Sequence, residues 1–131
     1  MSKIKIVYWI ATGLLSLGYL GGAAFYTFNH EMVAQLFGQL GYPVYLTYVL
    51  PVVKVLGPLA ILSRVSIALS DLAYAGMFYH LLLAVSAHLT SGVPGWPVSA
   101  IMLILVLASF FTQNAARKGQ SPYAGARFGE A

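Results

Sequence analysis

Four stretches of the chain are apolar almost without interruption, and polar residues collect between them. The first covers about 6–28, "IVYWIATGLLSLGYLGGAAFYTF", and carries no charge. The second covers about 44–62 and has one lysine, Lys54, inside it. The third, about 72–89, reads "LAYAGMFYHLLLAVSAHL" and holds His80 and His88. The fourth, about 97–112, contains "VSAIMLILVLASFFT". No run alternates with period two, so barrel strands are excluded. Helices then remain as the structure that satisfies every backbone group in lipid. A helix of about 20 apolar residues crosses a hydrocarbon core of about 30 Å. The pattern therefore predicts an all-α fold, a four-helix transmembrane bundle forming one domain over 1–112. Segment one has a rival reading, since Lys3 and Lys5 precede an apolar stretch ending in "GGAA", as in a signal peptide. The run continues through Phe25 and Phe28, which favours a retained span.

The connections carry their own signals. In 29–43, "NHEMVAQLFGQLGYP", Met32, Val33, Leu36, Phe37 and Leu40 recur at helical spacing. Asn29 is placed to cap such a helix, and Gly41 with Pro43 to stop it. A short amphipathic helix is expected over 30–40, lying on the outer membrane surface or packed over the bundle as a lid. Residues 90–97, "TSGVPGWP", read as a turn rich in glycine and proline. The polar, glycine-containing stretch 113–131 reads as a disordered tail. Asp71 follows Ser70 where segment three begins, and both suit a helix start.

Composition sharpens the membrane assignment. The chain of 131 residues is 60% hydrophobic and 8% charged. Soluble domains have about 45–50% apolar and about 25% charged residues. A net charge of +4 invites a nucleic-acid reading. The basic residues, however, flank apolar runs and form no patch interleaved with aromatics, which argues against it. Cysteine is absent, which removes thiolate nucleophiles, disulfides and cysteine metal sites.

Charge also orients the spans. Lys3, Lys5, Arg64, Arg117, Lys118 and Arg127 fall on one side of a four-span arrangement, and the loops 29–43 and 90–97 carry no lysine or arginine. The positive-inside rule then places both termini of this multi-pass arrangement in the cytoplasm. Tyr8 and Trp9 near one end, and Tyr42, Tyr45 and Trp96 near the other, suit the headgroup levels.

Lys54 is the main chemical lead. Segment two enters from the outer side, so Lys54 lies about 15 Å deep at a rise of about 1.5 Å per residue. The same rise puts His80 about 12 Å up from the inner side, also near the midplane. A lysine there costs about 2.5–3.5 kcal/mol on insertion scales. Its stem does not readily reach either surface from the centre, so it needs a partner or a wet cavity. Pro51 and Pro58 share its face with Thr47 and free backbone carbonyls nearby. The functional reading is a ligand, proton or ion site; the structural one is hydrogen bonding to those carbonyls.

His80 reads either as a second site residue or as an interhelical hydrogen-bonding partner. His88 and Glu31 fall nearer the outer interface, as site or surface residues. Candidate ligand-binding residues are thus Lys54, His80, His88 and Glu31. His80 and His88, eight apart with no acid between them, make a weak metal or haem pair, so no metal site is assigned. Gly18 and Gly22 form a G-x-x-x-G that reads as a helix-packing seam. No P-loop, G-x-G-x-x-G or H-E-x-x-H occurs.

"YWIATGLLSLGYLGGA", "LGYPVYLTYVLPVVKVLGPLAIL" and "DLAYAGMFYHLLLAVSAHLTSG" together resemble the DoxX-like family of small bacterial membrane proteins, over about 4–112. The resemblance rests on LGYP at 40–43, the K-x-x-G of Lys54 and Gly57, A-Y-A-G at 73–76 and S-x-H at 86–88. It implies four transmembrane helices. The family takes its name from proteins linked to quinone-coupled sulfur oxidation, and no firm activity comes with it. Members often carry an acidic residue where this chain has His80, so the ion pair with lysine that the resemblance implies is replaced here.

Three functions fit these features. The first is binding of a quinone or another lipophilic molecule at Lys54 and His80, in support of a membrane redox process. No cofactor is intrinsic, so any redox chemistry would belong to a partner oxidoreductase. The second is an accessory or assembly subunit of a membrane complex. The third is a small transporter, which with four helices per chain would have to form a homo-oligomer.

Overall fold

Ser2 starts the first helix, its Oγ accepting a hydrogen bond from the Lys5 amide at 3.2 Å. The computed structural model describes residues 2–117 and 120–124. Helix α1 spans Lys3–Phe28 and α2 spans His30–Leu40. Helix α3 covers Leu46–Ser63, α4 Ile67–Ser91 and α5 Trp96–Thr112, followed by a 3-10 turn over Gln113–Ala115. Among the described residues, four helices are long and apolar enough to cross a membrane. They pack side by side, α1 against α3 and α5, and α4 against the same two. Leu15, Tyr19, Ile61, Tyr74, Met77, Leu81 and Val106 meet at the centre. Leu17, Leu72 and Ile104 face outward at 65–70% exposure. That suits lipid, where outward leucines carry no hydrophobic penalty.

Without a hydrophobic drive between helices in lipid, polar contacts help to fix their register. Ser109 Oγ lies 2.6 Å from Thr12 Oγ1 and 2.7 Å from the Tyr74 hydroxyl, which ties α5 to α1 and α4 in a buried cluster. Ser70 Oγ donates to the Ala60 carbonyl at 3.2 Å and joins α4 to α3.

The polar residues at the start of α4 differ from their expected role. The helix begins at Ile67, five residues before the apolar run, because Ser66 Oγ caps it by accepting from the Leu69 amide. Asp71 therefore lies more than a turn inside α4 and does not cap it. Its carboxylate accepts from Gln113 Nε2 at 3.3 Å and from Ser121 Oγ at 2.7 Å. Asn114 holds the same segment by bonding both the carbonyl and the amide of Ser121. Within the stretch expected to be a disordered tail, Gln113, Asn114, Ser121 and Ala124 are buried. The rest of the expected tail, with Lys118 and Arg127, lies outside the described residues.

At the opposite end, α2 forms over the predicted range and stops at Gly41, in the left-handed conformation at φ 83°. Val33 and Phe37 are buried while Met32 stays exposed, so α2 packs across the ends of the long helices as a cover.

Asp71→Ala removes both tail anchors. Breaking hydrogen bonds to a charged group costs about 1.5–3 kcal/mol, so thermal unfolding in mild detergent should occur at a lower temperature. Trypsin should also cut after Arg117 faster than in the wild type. An unchanged cleavage rate would show that Asp71 does not hold the tail.

Candidate functional site

Lys54 is centrally placed on α3, between Leu46 and Ser63. Pro58 and Pro51 on the same helix each withdraw an amide donor, which frees the carbonyls of Lys54 and Thr47. The amine does not turn back to them. It reaches across to α1, where Nζ lies 5.0 Å from the centre of the Tyr19 ring and 4.9 Å from that of Tyr26. Ring faces carry negative potential and attract an ammonium at this range.

Tyr19, Gly22 and Tyr26 stand at i, i+3 and i+7, on one face of α1. Gly22 leaves the gap between the rings. A Cβ built there would lie 3.5 Å from Lys54 Nζ and 3.6 Å from its Cδ. The expected glycine seam is thus a side-chain slot: Gly22 receives Lys54, and Gly18 receives Met102 of α5.

Tyr19 also faces α4. Its hydroxyl lies 3.0 Å from His80 Nδ1, so Lys54, Tyr19 and His80 form one polar group from three helices. These residues line a cavity of about 530 Å³ that runs from mid-helix toward α2, where Leu36, Phe37 and Leu40 border it. Tyr19, Leu50, Lys54 and His80 also line a second cavity of about 250 Å³, bounded by Leu56, Leu72 and Gly76 of α3 and α4.

His88 lines the larger cavity two turns beyond His80. Its Nδ1 donates to the Val93 carbonyl at 3.1 Å, which leaves Nε2 available as an acceptor in the neutral ring. Gly95 packs against the imidazole. A Cβ there would come within 2.7 Å of the ring, and the backbone φ of 134° also favours glycine.

Glu31 does not join these residues. It is exposed in the first turn of α2, where a carboxylate complements the helix dipole. Of the four candidates, the fold brings Lys54, His80 and His88 to one cavity and leaves Glu31 outside it. Among the described residues, no group of three or more histidine or acidic side chains is placed to hold a metal ion.

Tyr19 and Tyr26 were not among the candidates read from the sequence. Their signal was Y-x-x-G-x-x-x-Y, two tyrosines and a glycine on one helix face opposite a lysine at similar depth. His30 was missed as well. Thr47 Oγ1 donates to the Val44 carbonyl at 2.8 Å, so His30 Nε2 donates to Thr47 at 2.7 Å and pins α2 to α3.

The DoxX-like family model matches residues 10–110, most of the chain. The chain belongs to the DoxX-like family. No curated protein and no solved structure matches it. The match covers Tyr19, Lys54, His80 and His88 of this DoxX-like protein, and the four apolar helices make it an integral membrane protein.

Tyr19→Phe keeps the ring beside Lys54 and removes the partner of His80. It should lower stability by about 1 kcal/mol, the net worth of one hydrogen bond. Tyr19→Leu removes the ring face too, and should cost about 1–2 kcal/mol more. Thermal unfolding of both variants in one detergent checks this. Equal losses would show that the ring does not hold the lysine.

Proposed function

We propose that this DoxX-like protein binds a lipophilic molecule bearing a carbonyl oxygen, of the quinone type, between Lys54 and His80. The carrying observation is a lysine amine deep among the helices, set over two tyrosine faces and bordering a cavity of about 530 Å³. Neither described acidic residue is its partner. Glu31 is exposed on α2, and Asp71 is engaged by Gln113 and Ser121. Aromatic faces stabilise an ammonium but leave its three N–H donors without acceptors. A ligand carbonyl in the cavity would accept one of them. Apolar walls from Leu46, Leu50 and Leu81 would take the ring or tail, as in small-molecule sites with few, convergent polar groups. The protein would hold the molecule for a membrane oxidoreductase and carry out no electron transfer alone.

The second cavity favours one other reading. It brings Lys54 and His80 toward the gap between α3 and α4, where a carboxylate from another membrane protein would supply the missing partner. That would make the chain an accessory subunit.

Extraction of the purified protein in mild detergent, followed by mass spectrometry, separates these readings. Wild type should retain a small lipophilic molecule that Lys54→Met loses, while the variant's thermal stability is unchanged or raised. Equal small-molecule content in both proteins would contradict ligand binding. Loss of a stoichiometric protein from Lys54→Met preparations would point to the accessory role.

The proposed setting is the bacterial cytoplasmic membrane, with both termini inside and α2 at the outer face. Lys3, Lys5 and Arg64 at the end opposite α2 support this orientation. The chain has no cysteine, so Ser2→Cys provides a single label site. It should resist impermeant maleimide in intact cells and react in inverted membranes. The opposite pattern would overturn the orientation.

A further inference from the structure

The tail end of the molecule holds a third cavity, separate from Lys54. The start of α1, the α3–α4 corner and the segment after α5 line an open cavity of about 800 Å³ there. Among its eight described lining residues, Lys5, Arg64 and Arg117 are cationic and none is acidic. Asp71, on the neighbouring α4, is turned to Gln113 and Ser121 and is absent from the described lining.

The two arginines are held in place with donor capacity to spare. Arg64 takes the left-handed conformation at φ 57°, rare for a residue with a side chain. This sets its guanidinium 4.8 Å from the centre of the Trp9 ring, with Nη1 donating to the Ala116 carbonyl at 2.9 Å. Arg117 Nη1 donates to Gln113 Oε1 at 2.9 Å, while its Nε is buried with no partner among the described residues. A guanidinium offers five N–H donors in a fork that matches phosphate oxygens. Ser66 and Ile67 add the N-terminal end of α4, whose dipole favours an anion. Trp9, beside Arg64, is a residue type that settles at headgroup depth.

We propose that this cavity binds a phosphate-bearing anion: the headgroup phosphate of an anionic lipid or free phosphate. Basic pockets between membrane helices recognise lipid phosphates by the same chemistry. The site is independent of any ligand at Lys54.

The test uses the full chain incubated with vesicles of equal phosphatidylglycerol and phosphatidylcholine, followed by native mass spectrometry. Wild type should retain phosphatidylglycerol in preference. Lys5→Gln and Arg117→Gln should each reduce that preference about fivefold, the worth of one cation near a headgroup. Lys3→Gln, which changes net charge equally but lies outside the cavity, should leave it intact. Arg64 is avoided as a probe because it also holds the α3–α4 corner. A parallel arm titrates inorganic phosphate into protein in uncharged detergent and reads thermal stability. Lipid preference sensitive to Lys5 and Arg117 identifies a lipid headgroup as the occupant. Stabilisation by phosphate with the same sensitivity, without lipid preference, identifies the free anion. Neither effect, or an equal response of Lys3→Gln and Lys5→Gln, overturns the proposal.

Discussion

A lysine half-buried among apolar helices has no described carboxylate beside it, and much of the middle of this molecule follows from that. Placing lysine at the centre of a span costs about 2.5–3.5 kcal/mol on insertion scales. Two desolvated aromatic faces return about 2 kcal/mol each, so Tyr19 and Tyr26 are of the right magnitude to offset it. That solution imposes further conditions. The residue between the rings must be small, and Gly22 is. Tyr19, buried in the core, needs an acceptor or donor for its hydroxyl, and His80 on α4 supplies it. The lysine thereby couples α3, α1 and α4 through one polar group.

The two ends are finished by different means. At one, α2 lays Val33 and Phe37 over the helix ends, and His30 fastens it to Thr47. At the other, Asp71 and Asn114 gather the chain after α5, and Arg64 bonds to the Ala116 carbonyl. The cavity of about 530 Å³ lies under α2, so the cover and the polar group belong to one site. The smaller cavity shares Tyr19, Lys54 and His80 with it, so a ligand at the lysine would contact space on both sides. An amphipathic molecule with a polar head and an apolar extension suits that shape.

The spans were legible because membrane helices must be apolar throughout, and Lys54 stood out because such helices rarely tolerate it. His80 followed from its depth. The start of α4 was not legible from hydropathy, since Ser70 and Asp71 look like a helix boundary and only the Ser66 cap places it earlier. Tyr19 and Tyr26 were hidden for a related reason. Tyrosine in a membrane protein suits the interface and glycine pairs suit helix packing, so neither residue type announces a lysine slot. The role of Asp71 depended on Gln113 and Ser121, which are 42 and 50 residues away. Contacts of that range have no local signature. Glu31 belonged to the surface because its helix turns it away from the cavity, which only the packing of Val33 and Phe37 determines.

The most direct measurement is a crystal structure grown in a lipidic phase containing a short-chain benzoquinone. A quinone oxygen should lie within hydrogen-bonding distance of Lys54 Nζ, with the amine still over Tyr19 and Tyr26. Nζ bonded to the backbone carbonyls freed by Pro51 or Pro58, with the cavity closed by side chains, would contradict it.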